Sequence, residues 1–135
     1  MSSQLSVASC QTIFNRGYED LLVWQKAVAL AESVYLATRA FPKEELYGMA
    51  SQLRRSAVSI PSNIAEGCAR QSSKEFLHFL SIASGSTAEL KTQLLIANRV
   101  QLVSSESYHE LQGLSEEIAR MLAGLRARIR KDITT

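Results

Sequence analysis

Apolar residues recur along the chain in alternating steps of four and three. Val23, Ala27, Leu30, Val34, Ala37 and Phe41 form one such series, and Trp24, Val28, Ala31 and Tyr35 form a second stripe beside it. A helix places residues three and four apart on one face, so this spacing predicts an amphipathic helix with a wide apolar side. Phe41-Pro42 ends it, because the residue before a proline is pushed out of helical geometry. Pro42, with Glu44 and Glu45 suited to a helix's positive end, is expected to open a second helix. In it Leu46, Met49, Leu53, Ala57, Ile60 and Ile64 carry the pattern as far as Gly67. Pro61 lies inside this helix, where it removes a donor, frees the carbonyl of Ala57 and predicts a kink. Ser59, Ser62 and Asn63 are at hand to satisfy exposed backbone groups.

Ser72-Ser73-Lys74-Glu75 has the spacing of a capping box, in which a hydroxyl and a carboxylate each satisfy an unpaired amide, so a third helix starts near Ser73. Phe76, Leu80, Ala83, Thr87, Leu90, Leu94 and Ala97 keep the same rhythm. Small residues crowd Ser81-Ile82-Ala83-Ser84-Gly85-Ser86, and a mid-helix glycine costs about 1 kcal/mol against alanine, which predicts close helix approach there. After a break at Val103-Ser104-Ser105, Leu111, Ile118, Leu122, Leu125 and Ile129 define a fourth helix. No run alternates with period two. The fold class is therefore all-α, and short loops between successive helices make them antiparallel, an up-down-up-down four-helix bundle. The bundle domain is expected over residues 18–131, preceded by a flexible arm of small and polar residues at 1–17.

Composition narrows the class. With 135 residues, 46% hydrophobic and 21% charged, the chain has the size and apolar content of one globular domain and too little charge for disorder. Fifteen basic against thirteen acidic residues leave a net charge of +2, so only the distribution of charge, not its total, can argue for nucleic acid. Cys10 and Cys68 stand alone in sequence and encode neither a zinc knuckle nor a disulfide framework, which reads as two free thiols in a reducing cytosol. No secretory signal pattern and no long uncharged apolar run occur, so a cytoplasmic protein without membrane contact is expected.

The stretch Gln52-Leu53-Arg54-Arg55-Ser56-Ala57-Val58-Ser59-Ile60-Pro61-Ser62-Asn63-Ile64-Ala65-Glu66-Gly67 closely resembles the signature of a bacterial four-helix bundle family encoded in 23S rRNA intervening sequences. Further matches are Asp20-Leu21, Val23-Trp24-Gln25-Lys26-Ala27, Phe41-Pro42, Glu45, Tyr47-Gly48, Glu75-Phe76, Phe79-Leu80, Ile82-Ala83, Gly85-Ser86, Glu89-Leu90 and Thr92-Gln93-Leu94. The family also resembles the accessory variability proteins of diversity-generating retroelements, pentameric barrels that work with nucleic acid and a reverse transcriptase. The resemblance implies a ring, a homopentamer, and supplies no enzyme activity or cofactor. The chain departs from the pattern at Val100-Gln101-Leu102, where Gly-Tyr-Leu is usual, and at Cys68, where an aromatic residue is common.

Candidate chemistry is sparse. Glu75-x-x-His78 and Glu106-x-x-His109 have the spacing that supplies ligands to di-iron carboxylate sites. Both begin their helices, however, and in an antiparallel pair they fall at opposite ends, so they cannot share one metal. No G-x-S-x-G, Gly-rich phosphate loop or H-E-x-x-H is present, and the chain is read as no enzyme. Glu66 and Arg70 can pair along the second helix, and Ser59, Ser62, Asn63 and Glu66 read either as structural or as ligand contacts. Trp24 and Tyr35, on a stripe wider than one core requires, either line an oligomer interface or cap the protomer core. Arg70, Lys74, Arg126, Arg128, Arg130 and Lys131 gather, in an up-down bundle, at one pole and would form a positive rim in a ring. Arg54 and Arg55 in the signature are the second candidate nucleic-acid-binding set. The function expected is a homo-oligomer that binds RNA or DNA, or a nucleoprotein partner such as a reverse transcriptase. The alternative is a protein-binding scaffold or accessory subunit without nucleic-acid contact.

Overall fold

The computed structural model describes Cys10 and residues 17–134, and all statements below concern these residues. They form four helices and no strand: α1 (Leu22–Thr38), α2 (Met49–Ala69), α3 (Ser73–Arg99) and α4 (Ser105–Thr134), with short 3-10 turns at Gly17–Asp20 and Lys43–Glu45. Each helix packs on the next, and α1 closes the set against α4. The buried core draws on the expected positions of every helix, among them Leu30 and Val34, Leu53, Ile60 and Ile64, Leu80, Leu90 and Leu94, and Ile118 and Leu122. Burying one such leucine or isoleucine contributes about 1.5–3 kcal/mol, which makes this set the main stabilising term.

Local signals explain most helix boundaries. Ser72 caps α3, its Oγ accepting from the Glu75 amide at 3.1 Å, so the capping box forms on its serine side. The chain leaves α3 through a left-handed residue, Gln101, at φ 67°. The Leu102 amide reaches back to the Ala97 carbonyl at 2.8 Å and the Gln101 amide to Asn98 at 3.0 Å, the bond pattern of a Schellman ending. Val100-Gln101-Leu102 thus makes a glycine-type turn without glycine, helped by Asn98 Nδ2 donating to the Val103 carbonyl at 3.1 Å.

The structure corrects the sequence reading in several places. The second helix starts at Met49, not at Pro42: the acidic pair opens only a 3-10 turn, and Gly48, with φ −106° and ψ −111°, breaks the path before α2. Glycine has no side chain to cap with, and Glu45 Oε1 instead accepts from the Met49 amide at 3.4 Å. Leu46, counted with the core stripe, consequently lies ahead of the helix and is exposed. α2 runs on through Pro61, and Asn63 Nδ2 donates to the carbonyl of Ser59, at 2.8 Å, rather than to that of Ala57.

Close helix approach occurs at Gly67, where an added Cβ would stand 2.7 Å from Phe79 Cβ, and at the 2.7 Å contact of Ser59 with Ser86. It does not occur at Gly85, whose added Cβ would meet nothing within 4 Å. Finally, Cys10 and Cys68 are not free thiols: both are fully buried and joined by a disulfide across 58 positions. Spacing in sequence could not show this, because the bond depends on where the chain before α1 lies against the end of α2. The expected arm otherwise lies outside the described residues.

Candidate nucleic-acid interface

The first half of α2 presents the most chemically distinctive surface. Its inward positions Leu53, Ala57, Ile60 and Ile64 are buried, which turns Arg54, Arg55, Val58 and Ser59 toward the flanks. Here an open groove of about 590 Å³ is lined by Tyr35 from α1, Leu46 and Tyr47 from the connecting turn, and Ser51, Arg54, Arg55, Val58 and Ser59 from α2. No carboxylate lines it, so the two guanidinium groups set its sign.

Arg54 is held in place. Its Nε donates to Thr38 Oγ1 at 2.8 Å, and its guanidinium carbon lies 4.8 Å above the centre of the Tyr35 ring. Thr38 is itself buried and fixed by its hydroxyl, which donates to the Val34 carbonyl at 2.9 Å. Stacking and one bonded nitrogen leave the outer edge of the guanidinium preorganised for an anion, with its side-chain entropy already spent. Arg55 is exposed and stands between this groove and a second, of about 430 Å³, lined also by Gln52, Ser56, Ser59, Glu89 and Gln93. That second groove is polar because the α2–α3 seam beneath it is hydrogen-bonded: Ser56 Oγ lies 2.9 Å from Gln93 Oε1 and 3.1 Å from Glu89 Oε1. Ser59 joins this seam through its 2.7 Å contact with Ser86, and Asn63 Nδ2 donates to Ser59 Oγ at 3.0 Å within α2.

Tyr47 is the residue that periodicity missed. It is 91% exposed, at the groove's rim, and the only sequence signal for it was the Tyr47-Gly48 match. Of the two aromatics expected at an interface, Trp24 meets Tyr18 in a tilted contact with ring centres 5.1 Å apart and packs, partly buried, against the protomer core, whereas Tyr35 remains 44% exposed. Beside Tyr35, the exposed Leu36 and Val58 join Val28, Ala31 and Pro61 in a neighbouring apolar groove of about 360 Å³.

The expected basic pole is only partly assembled. Arg70 pairs with Glu66 at 3.0 Å and lies over the Phe79 ring at 5.0 Å, so its guanidinium already has a carboxylate partner. Arg126 is half-buried and donates to Ser84 Oγ at 3.3 Å, eleven residues into α3 from Ser73 and so about 16 Å from the end that carries Lys74. The reason is that Arg126 lies eight residues before Thr134, the end of α4, which puts it beside the middle of its neighbour. Arg128, Arg130 and Lys131 continue along the exposed side of α4, and Lys74 is exposed at the start of α3.

Among the described residues, no group of three or more His, Cys, Asp or Glu side chains is gathered as a metal site needs. Glu75 is the capping partner of Ser72, and His109 Nδ1 lies 2.7 Å from the Ser105 carbonyl. No described helix is long and apolar enough to cross a membrane.

Comparison with known proteins agrees with this architecture. No curated protein matches the chain. A crystal structure of a protein of unknown function from the S23 ribosomal protein family of Bacteroides thetaiotaomicron superposes with a TM-score of 0.72 at 27% identity, covering 78% of this chain and 98% of that one. The family model of the 23S rRNA-intervening sequence protein matches residues 19–124, which takes in most of all four helices and the whole arginine-bearing signature of α2; the chain belongs to that family.

Proposed function

We propose that this protein is a non-enzymatic, homo-oligomeric bundle of up-down-up-down protomers, assembled as a ring such as a pentamer, that binds RNA or DNA or a nucleoprotein partner through basic surfaces. The observation that carries the binding reading is the α2 groove, in which Arg54 is braced by Thr38 and Tyr35 beside an exposed Arg55 and no carboxylate intervenes. A guanidinium held this way suits a phosphate group. The family name and that of the Bacteroides relative carry a ribosomal association, and a ribosomal setting is one of RNA. Ring assembly is supported by the exposed Leu36, which with Val28, Ala31 and Pro61 lines an apolar groove that a lone protomer leaves open to water. The same apolar surface favours the second reading, a scaffold or accessory subunit that touches only protein, for example a reverse transcriptase.

The test uses the full chain. Light scattering on a sizing column gives the mass of the assembly, and a monomer at micromolar concentration refutes the ring. Anisotropy with a labelled RNA hairpin, repeated over a range of salt, gives affinity and its salt slope. Each phosphate contact removed should flatten the log–log slope by about 0.7–0.9. Arg55→Ala should weaken binding, whereas Arg126→Ala should have the smaller effect because Ser84 already engages that side chain. If neither Arg55→Ala nor the triple change of Arg126, Arg128 and Arg130 to alanine alters binding by a folded assembly, the scaffold reading replaces this one.

A further inference from the structure

We infer that the α2 groove takes unpaired nucleotides, with phosphates at Arg54 and Arg55 and a base stacked on Tyr47. This inference rests on the nucleic-acid reading above and narrows its ligand to single-stranded segments. Two properties of the groove coincide. Its charge comes only from guanidinium groups, and its rim carries a phenol ring that is 91% exposed, over a floor that includes Leu46 and Val58. An acidic peptide matches the arginines and leaves the ring and floor unused. An apolar peptide matches the floor and leaves two cations facing it. A single strand supplies an anionic group and a flat, weakly polar ring in every unit, and so matches both.

A duplex does not, because its bases are stacked inward and present their edges rather than their faces to a side chain. The site is also built for the task. Arg54 cannot swing away while it is bonded to Thr38 and stacked on Tyr35, so a phosphate meets a fixed donor. Tyr47, by contrast, has almost all of its surface free, and stacking a base would remove apolar area from water at little cost in protein packing. The groove's volume of about 590 Å³ leaves room for a base and its sugar. Ser51 adds a hydroxyl to the lining.

The experiment compares anisotropy of a short labelled RNA strand, free and annealed to its complement, with the full-length protein and its variants. The strand should bind at least about tenfold more tightly than the duplex. Tyr47→Ala should weaken strand binding roughly 5- to 150-fold, the range for loss of one stacked base, while Tyr47→Phe keeps the ring and most of the affinity. Duplex binding should change little in either variant. Because Tyr47 is exposed, the melting curve of each variant should match that of the parent.

Equal binding of strand and duplex, with Tyr47→Ala without effect, overturns this inference and leaves the general nucleic-acid reading standing. Failure of both forms to bind even at low salt removes that reading and this one with it. Displacement of the strand by polyglutamate as effectively as by unlabelled RNA shows that only charge is sensed, and overturns the stacking site. A change of oligomer mass in Tyr47→Ala without loss of strand affinity assigns the residue to a subunit contact, with the same result.

Discussion

Opening the Cys10–Cys68 bond should cost this protein a large part of its stability. The bridge joins residues 58 positions apart, so in the unfolded chain it closes a long loop. In the chain-entropy account, a loop of this length removes about 14 cal/mol/K from the unfolded ensemble, or about 4 kcal/mol at room temperature. Whole domains are stable by only about 5–15 kcal/mol, so the bridge is a major term. For a chain of 135 residues the loss corresponds to a fall in Tm of roughly 10–20 °C.

The assay is a thermal melt followed by circular dichroism, with protein purified without reductant, with and without dithiothreitol. The dithiol takes over the bridge by exchange, leaving two protein thiols and one oxidised dithiothreitol. Both sulfurs are buried, so the reductant must be equilibrated with the protein through partial unfolding before the melt. Cys10→Ala supplies the matching control: it lacks the bridge throughout, and its Tm should be low and insensitive to dithiothreitol. Thiol titration in denaturant should find no free thiol in the untreated parent. Two titratable thiols per chain, or a parent Tm unmoved by complete reduction, would refute the reasoning.

Three further substitutions test the packing. Gly67→Ala should destabilise by about 1–3 kcal/mol, read from denaturant unfolding, because the new methyl would press on Phe79 Cβ at 2.7 Å and on the Phe76 carbonyl at 3.3 Å. Gln101→Gly should raise stability by up to about 1 kcal/mol in the same assay, since glycine holds the left-handed conformation at φ 67° without strain. Gly85→Ala should stabilise the protomer by about 1 kcal/mol, as its Cβ has open space. If the same change lowers the oligomer mass in light scattering, Gly85 faces another copy in the ring.

Much of the fold was legible from local rules. The four-and-three spacing located four helices, and the serine–glutamate box placed the start of α3 at Ser73. The same spacing named most of the core, because a residue three or four positions on shares the buried face whatever the helix packs against, and it missed Leu21, Ala50 and Val103. Errors followed where that locality failed. Leu46 fits the stripe by number, yet the turn at Gly48 takes it out of the helix. Gly85 suggested close approach because it is small, but its direction depends on how α3 is rotated, and it faces outward.

The candidate site was legible as residue types and not as an arrangement. Arg54 and Arg55 stood in the recognised stretch, and nothing in their spacing indicated that one is braced and the other free. Bracing requires Thr38 and Tyr35, 16 and 19 positions earlier on another helix, to meet Arg54 across the α1–α2 contact. The rim arginines showed the converse: Arg126 counted as polar-end charge by position in the chain, but the offset between α3 and α4 put it against Ser84.

By itself, then, the sequence determined the helical class, the presence of four helices, most of the core and the family, all of which rest on interactions within about one turn of chain or on a run of consecutive residues. Only the tertiary structure decided that Cys10 meets Cys68, that Trp24 lies against Tyr18 and the core edge while Tyr35 is 44% exposed, and that Tyr47 and two arginines share a groove free of carboxylate. Those outcomes depend on the rotation and offset of whole helices against one another. Packing sets them through contacts between residues far apart in the chain, for which periodicity carries no information.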